Sequence, residues 1–443
     1  MTAPFDQELA RRLARLRDQG LYRELRRIDS PQTPHIKIGG QALLNFSSND
    51  YLGLAAEPAL KAAARKALGR YGAGSGASRL ISGSLAPHHQ LEEALAAFKG
   101  AEAALSFSTG YAAALGTIGA LAGKGDVVIL DKLVHACIVD AARLSGAKLR
   151  VFDHNDVGGL ERILEWAEAR NPKSEIRNPK EIRNPKAEIR RPDGDGGGLK
   201  AKAGAEGPEV GVESGLPPEG GGSVLIVTES VFSMDGDQAP LRQLVALKEQ
   251  YGAWLMVDEA HATGLYGVNG RGLAEELGVS HRIEVQMGTL GKAVGASGGY
   301  ICGSRTLIDY LVNRARSFIF STSPPPAAAA AATAGIGFIQ SSAGRRRRDL
   351  LWRRVSEVRS FLAGQNRWPC PASAPCAIIP LILGQEERAA RASAALRDQG
   401  IFIPAIRYPA VARGQARLRL TLTAAHTPAD LEQLMAALRG LDF

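Results

Sequence analysis

Apolar residues recur along this chain in two alternating rhythms. Short, mainly apolar runs stand at residues 104–107, 127–130, 149–152, 224–227, 254–257, 285–287 and 299–301. Longer stretches between them place apolar residues three and four apart. Short apolar runs alternating with amphipathic helices predict an α/β fold built on a large, mainly parallel sheet. Polar residues close several of the runs, at Thr228-Glu229, Asp258-Glu259 and Thr289. Open α/β sheets bind ligands at the carboxyl ends of their strands, so chemistry is expected at these positions.

The two ends of the chain follow other patterns. Phe5, Leu9, Leu13 and Leu16 keep helical spacing between arginines and predict an amphipathic packing helix up to about Gly20. Beyond Pro326 the pattern is helical to about Gly364. Strand candidates follow at 377–383, 401–406 and 417–422, and a helix begins at Pro428. The expected organisation is an N-terminal helix and arm over residues 1–44, a large domain over 45–323, and a small α+β domain with a linking helix over 324–443.

The large domain is interrupted at 171–222. Glu-Ile-Arg-Asn-Pro-Lys occurs there twice in succession, at 175–180 and 181–186, and a glycine- and proline-rich stretch follows. With almost no aromatic or periodic apolar content, this segment cannot bury enough surface to offset the entropy of ordering, so a disordered surface insertion is expected. Its period is far too short for a solenoid repeat.

Composition narrows the class further. Hydrophobic residues make up 45% and charged residues 22%, ordinary for a globular chain. The net charge of +9 permits an acidic partner without requiring one. The insertion adds nothing to it, with nine basic and nine acidic residues. Four cysteines are too few for a disulfide framework, and Cys370 and Cys376 lack the companions of a zinc site, so no metal is expected. The apolar run at 324–339 is shorter than the ~20 residues a membrane helix needs. No signal peptide opens the chain, and Asp6, Glu8 and Asp18 are unlike an organellar transit peptide. A cytoplasmic protein without membrane attachment is expected. Arg345 to Arg348 form a basic cluster, but arginine runs on helices are usually solvated faces. No aromatic platform interleaves them, so no nucleic-acid partner is expected.

Three local patterns carry chemistry. Lys292 sits in Gly288-Thr289-Leu290-Gly291-Lys292, after a strand and among small neighbours. A deprotonated lysine amine condenses readily with aldehydes. Asp258, in Val257-Asp258-Glu259-Ala260-His261, is a strand-end carboxylate able to hold a pyridinium proton. Ser108-Thr109-Gly110-Tyr111 marks a strand-to-helix turn whose free N–H groups suit a phosphate. Each alone has a plain structural reading: an ordinary lysine, a helix cap, a capped helix. In this order the three together suit pyridoxal 5'-phosphate.

The same stretches resemble the α-oxoamine synthases, fold-type I pyridoxal phosphate enzymes. The likeness covers Asn45 to Gly53, Tyr71 to Gly83, His135, His154-Asn155-Asp156, Thr228 to Gly236, Val257 to Gly264, Thr289 to Lys292 and Arg417 to His426. Ser321-Thr322-Ser323, Ala405-Ile406-Arg407 and the run from Ala416 to His426 look most like the branch that joins L-alanine to a pimeloyl thioester, carried on coenzyme A or on an acyl carrier protein. The resemblance implies a decarboxylating C-acyltransferase. Lys292 would be the Schiff-base lysine and general base. Asp258 would pair with the ring nitrogen, His261 with the phenolic oxygen, and His135 would stack on the ring. Ser233 matches a cofactor-contacting serine. Gly110, Tyr111 and Thr289 would hold the phosphate, with Ser321 and Thr322 of the other subunit of a homodimer. Arg419 would bind the amino-acid carboxylate. Asn49 and Glu229 match substrate-side positions, and Arg26 lies where an arginine approaches the acyl substrate. Arg417 and Arg419 share one strand face, so only the resemblance separates them. Ala77 departs from a Gly-Gly-Ser pattern near the acyl site. Family members that use glycine or serine, such as glycine C-acetyltransferase or serine palmitoyltransferase, share most of these motifs.

Overall fold

The computed structural model describes residues 4–170, 222–365 and 374–441. The repeat-bearing insertion lies outside the described residues, apart from Gly222, and so does Cys370.

Two short strands, β1 (His35–Ile38) and β2 (Gln41–Asn45), form an antiparallel pair behind the N-terminal Pro4–Asp18 helix. Seven strands then build the main sheet: β3 (Ala103–Phe107), β4 (Val127–Asp131), β5 (Lys148–Phe152), β6 (Val224–Glu229), β7 (Trp254–Asp258), β8 (Val285–Thr289) and β9 (Gly299–Gly303). Their order is β3-β9-β8-β7-β6-β4-β5. Neighbours from β8 across to β5 run parallel, and only β9 is antiparallel to both of its neighbours. All five residues of β3 and four of five in β7 are buried. Strands buried on both faces read as mainly apolar runs rather than as alternation, whereas the edge strand β5 buries only Phe152.

The last strands are β10 (Ile378–Gly384), β11 (Ile401–Phe402), β12 (Ala405–Ile406) and β13 (Ala416–Thr421). The sequence suggests one strand over 401–406, and the structure divides it. β11 joins β2 in parallel, whereas β12 pairs with β13 in a second three-stranded sheet. Pro404 stands at the break, where a residue without an N–H cannot extend a ladder. The helical stretch beyond Pro326 is likewise two helices, Pro326–Gln340 and Ser342–Ala363. Ser341 caps the second by accepting the Gly344 N–H at 3.1 Å. No helix among the described residues is long and apolar enough to cross a membrane.

Parallel strands bring their carboxyl ends to one edge. Asp131, Glu229, Asp258 and Thr289 end β4, β6, β7 and β8, and Glu229 is the register partner of Asp258. The helix Gly110–Leu121 begins after β3 at the same edge.

Candidate functional site

Lys292 is carried on a loop that closes upon itself. Leu290 donates its N–H to the Gly298 carbonyl at 2.9 Å, Ala296 to Leu290 at 2.8 Å, and Gly295 to Lys292 at 2.9 Å. Gly295 has φ +74, and a Cβ there would lie 2.6 Å from the Leu54 backbone. The loop therefore packs against the segment holding Asn49 and Tyr51 only because residue 295 is glycine.

From Lys292 a chain of short contacts runs inward. Its Nζ lies 2.8 Å from His261 Nε2, and His261 Nδ1 lies 2.7 Å from the Tyr51 hydroxyl. That hydroxyl lies 3.2 Å from Asn49 Oδ1. Arg419 Nη1 donates to Asn49 Oδ1 at 3.1 Å, its Nη2 to the Tyr51 hydroxyl at 3.4 Å, and its Nε to the Ser233 carbonyl at 2.5 Å. Sequence reasoning did not single out Tyr51, although it lies inside the Asn45 to Gly53 motif. At 1% exposure its ring is part of the core. Only the geometry shows the hydroxyl joining three polar groups.

Arg417 and Arg419 are also told apart here. Arg417 is occupied by Asp235 Oδ1 at 2.5 Å and by the Met234 carbonyl at 3.2 Å. Arg419 has no carboxylate partner among the described residues, so its charge is available to a ligand. Ser233 takes part through its carbonyl.

The strand ends supply two buried carboxylates. Asp258 Oδ1 accepts the Ala260 N–H at 2.9 Å, while Oδ2 takes no hydrogen bond among the described residues. Glu229 Oε1 accepts the His135 N–H at 2.6 Å. His135 in turn caps the helix Ala136–Leu144, its Nδ1 accepting from the Cys137 N–H at 3.3 Å. Behind Asp258, Glu259 pairs with Lys99 through Oε2 and accepts the Ala274 N–H through Oε1 at 2.9 Å.

Electrostatics follow from this burial. Burial, reinforced by the adjacent Asp258 charge, holds Glu229 above the ordinary carboxylate range. Burial raises Asp258 too, although Lys292 opposes it. Burial lowers the Lys292 amine, against the pull of Asp258 and Glu229. His261 is held well below 6.5 by burial and by the charges of Lys292 and Arg419, so its ring is neutral. His135 is lowered by burial and by Lys292. A neutral imidazole offers one N–H and one lone pair, which suits Tyr51 on one side and an amine on the other.

Gly110 and Tyr111 open the helix after β3, so their N–H groups have no intrahelical acceptor. A Cβ on Gly110 would lie 3.8 Å from Thr289 Cβ and 3.9 Å from its Oγ1, closing the space between them. The donor set fits pyridoxal phosphate: free N–H groups beside Thr289 for a phosphate, a buried acid with a free oxygen for a ring nitrogen, and an amine lowered by burial for an aldehyde. Three expected residues stand apart in the single chain. Thr322 forms an isolated bridge to Ser78, carrying Ser321 with it, and Arg26 approaches the Phe402 ring, at 5.7 Å.

The sequence profile of the class I and II aminotransferases matches residues 41–438. The 8-amino-7-oxononanoate synthase of Herminiimonas arsenicoxydans is 42% identical over 435 residues, 98% of either chain. That of Geobacter sulfurreducens is 44% identical over 430 residues, 97% of this chain and 96% of the other. Among solved structures, a serine palmitoyltransferase from S. paucimobilis with a bound PLP–myriocin aldimine superposes with TM-score 0.81 at 29% identity, covering 99% and 98% of the two chains. An 8-amino-7-oxononanoate synthase from Francisella tularensis gives TM-score 0.67 at 25% identity, covering 90% of this chain and 96% of the other. Full-length similarity and the site at the strand ends agree: the chain belongs to the aminotransferase class I and II family, in the branch of the 8-amino-7-oxononanoate synthases.

Proposed function

We propose that this enzyme condenses L-alanine with a pimeloyl thioester to give 8-amino-7-oxononanoate, releasing carbon dioxide and the carrier thiol, a step of biotin biosynthesis. The observation that carries the reading is the continuous contact from Lys292 through His261 and Tyr51 to Arg419, which puts an amine lowered by burial and a guanidinium with no carboxylate partner among the described residues in one buried site.

Pyridoxal phosphate, when bound, supplies an aldehyde for amines and a ring that takes up the electron pair released at the amino acid's α carbon. Gly110, Tyr111 and Thr289 hold its phosphate, joined by Ser321 and Thr322 from the partner in a homodimer. Asp258 keeps a proton at the ring nitrogen, His261 hydrogen-bonds the phenolic oxygen, and His135 covers the ring. Ser233 lines the same space. Arg419 binds the alanine carboxylate in a forked pair and so fixes which α bond is broken. Lys292 Nζ takes the Cα proton and returns one to the product. Asn49 and Glu229 bind substrate polar groups, and Arg26 approaches the acyl chain or its carrier.

The test offers alanine, glycine and serine against pimeloyl, acetyl, succinyl and palmitoyl thioesters, with carbon dioxide release followed. Alanine with pimeloyl thioester should exceed every other pair by ~10-fold or more in kcat/KM, about what pocket contacts to a few groups supply. Serine with a palmitoyl thioester is the competing pair, because the serine palmitoyltransferase fold superposes well. Higher turnover for that pair overturns the reading. Lys292→Ala should abolish turnover and the yellow chromophore that borohydride reduces.

A further inference from the structure

His154, just beyond β5, has no part in the site as described so far. Its Nδ1 lies 2.9 Å from Asp131 Oδ1 and its Nε2 2.6 Å from Asp237 Oδ2. A neutral imidazole has one N–H and can donate to one carboxylate only. Two ionised acceptors require both nitrogens protonated. Burial works against that charge, but the two carboxylates outweigh it and raise the group to about 10. Phe232 meets the ring edge-on, with centroids 4.4 Å apart at 88°, and fixes its plane. Asn155 reinforces the bridge from a left-handed conformation, φ 57. Its N–H donates to Asp131 Oδ2 at 2.9 Å and its Nδ2 to Asp237 Oδ2 at 3.0 Å.

Asp131 is the buried end of β4, whereas Asp237 closes the turn after β6. That turn is tight: Phe232 donates to the Asp237 carbonyl at 3.0 Å and Gly236 to the Phe232 carbonyl at 2.9 Å. Fixing Asp237 therefore fixes Ser233, whose carbonyl accepts from Arg419 Nε. The path from His154 to the guanidinium runs through one turn of six residues, 232–237.

We propose that His154 is a positioning residue for the amino-acid substrate: bridging Asp131 and Asp237 as an imidazolium, it fixes the turn whose Ser233 carbonyl orients Arg419. The inference rests on the assignment of Arg419 to the amino-acid carboxylate.

The experiment uses holoenzyme carrying His154→Gln, which loses the charge but keeps one donor. L-alanine binding is read from the absorbance change of the bound cofactor without acyl donor, and both KM values from steady-state turnover. The alanine dissociation constant and KM should rise about tenfold, a large part of what one charge-assisted hydrogen bond supplies. The thioester KM should stay within about twofold. Asp237→Asn, a milder change that keeps the Asn155 contact possible, should give a smaller rise of the same kind. Unchanged alanine binding in a folded variant overturns the proposal, as do equal rises for both substrates, which mark general loosening. If wild-type enzyme prefers another amino acid, the proposed reaction fails instead, and the same titration with that amino acid still tests His154.

Discussion

His426 is fully buried beside the last strand of the small sheet. Its Nε2 lies 3.0 Å from the Asn45 carbonyl, its Nδ1 accepts the Thr423 N–H at 3.1 Å, and its ring stacks on Phe46 with centroids 4.1 Å apart. Accepting at Nδ1 and donating at Nε2 uses the neutral ring completely. A second proton would remove the acceptor, and burial lowers the group from 6.5 to about 4, against the opposing pull of the Asn45 carbonyl. Because the folded value is depressed, the unfolded chain binds the proton more readily. The stability from neutral His426 is complete above about pH 6.5 and is lost as pH falls toward 4. The loss amounts to roughly 3 kcal/mol at 1.36 kcal/mol per unit. His426→Gln should lower Tm at pH 7.5, yet its Tm should fall less steeply than wild type between pH 6.5 and 4. Parallel Tm–pH curves for the two proteins would remove His426 as the cause. Residues of this kind also mark the limit of the sequence. The motif from Arg417 to His426 was visible, but the separate duties of Arg417 and Arg419 were not. They depend on Asp235, 182 positions away from Arg417, on a turn whose shape no local pattern announces.

At the scale of elements, the main sheet was legible because strands buried on both faces have mainly apolar runs. Every expected strand of that sheet is present within a residue or two. The exchange of β11 into the N-terminal sheet was not legible, since two-residue strands carry too little periodicity and the partner, β2, lies at the other end of the chain. The helix Ala86–Lys99 contributes one strong tie to the site. Its last residue, Lys99, is buried, and its ammonium pairs with Glu259 and with the Arg271 carbonyl. Burial works to lower Lys99, but Glu259 outweighs it and holds the ammonium above its ordinary range. Removing one member leaves a buried charge without a partner, which costs about 3–5 kcal/mol. Lys99→Met should therefore lose stability of that order in urea unfolding, and adding Glu259→Gln should recover part of it. If the double variant is as unstable as the sum of the singles, the two groups are not coupled. Because Glu259 follows Asp258, Lys99→Met should also weaken cofactor retention, measured as chromophore loss on dialysis.

For the whole molecule, the question is what the 171–222 insertion and the +9 charge contribute. Arg170 and Gly222, which flank the undescribed residues 171–221, line one cavity with Gly125, Lys148 and Trp166. The main sheet thus brings the two sides of the insertion together, and a short loop can connect the Val157–Glu168 helix to β6. The insertion's charges cancel, so its removal leaves the net charge at +9. Part of the remaining positive charge is engaged inside the fold. Arg347 donates to the Leu52 carbonyl at 2.9 Å and pairs with Glu57 at 3.2 Å, while Arg348 donates to the Val268 carbonyl at 3.0 Å and Arg354 to the Ala424 carbonyl. Arg347, Arg348 and Arg354 therefore brace the long Ser342–Ala363 helix against the rest of the fold, while Arg345 and Arg346 are exposed. Replacing 171–221 with a four-residue Gly-Ser linker should leave the site untouched, because that segment has almost no aromatic or periodic apolar content with which to pack against the fold. Alanine and pimeloyl-thioester KM values should stay within about twofold, and Tm within a few degrees, since loop-length changes alter closure entropy only by fractions of a kcal/mol to about 2 kcal/mol. A selective rise in thioester KM would instead assign the insertion to the acyl carrier. Repeating the comparison from 50 to 300 mM salt separates the two outcomes: an electrostatic docking role makes the wild-type advantage shrink as salt rises, and a passive insertion leaves the ratio flat.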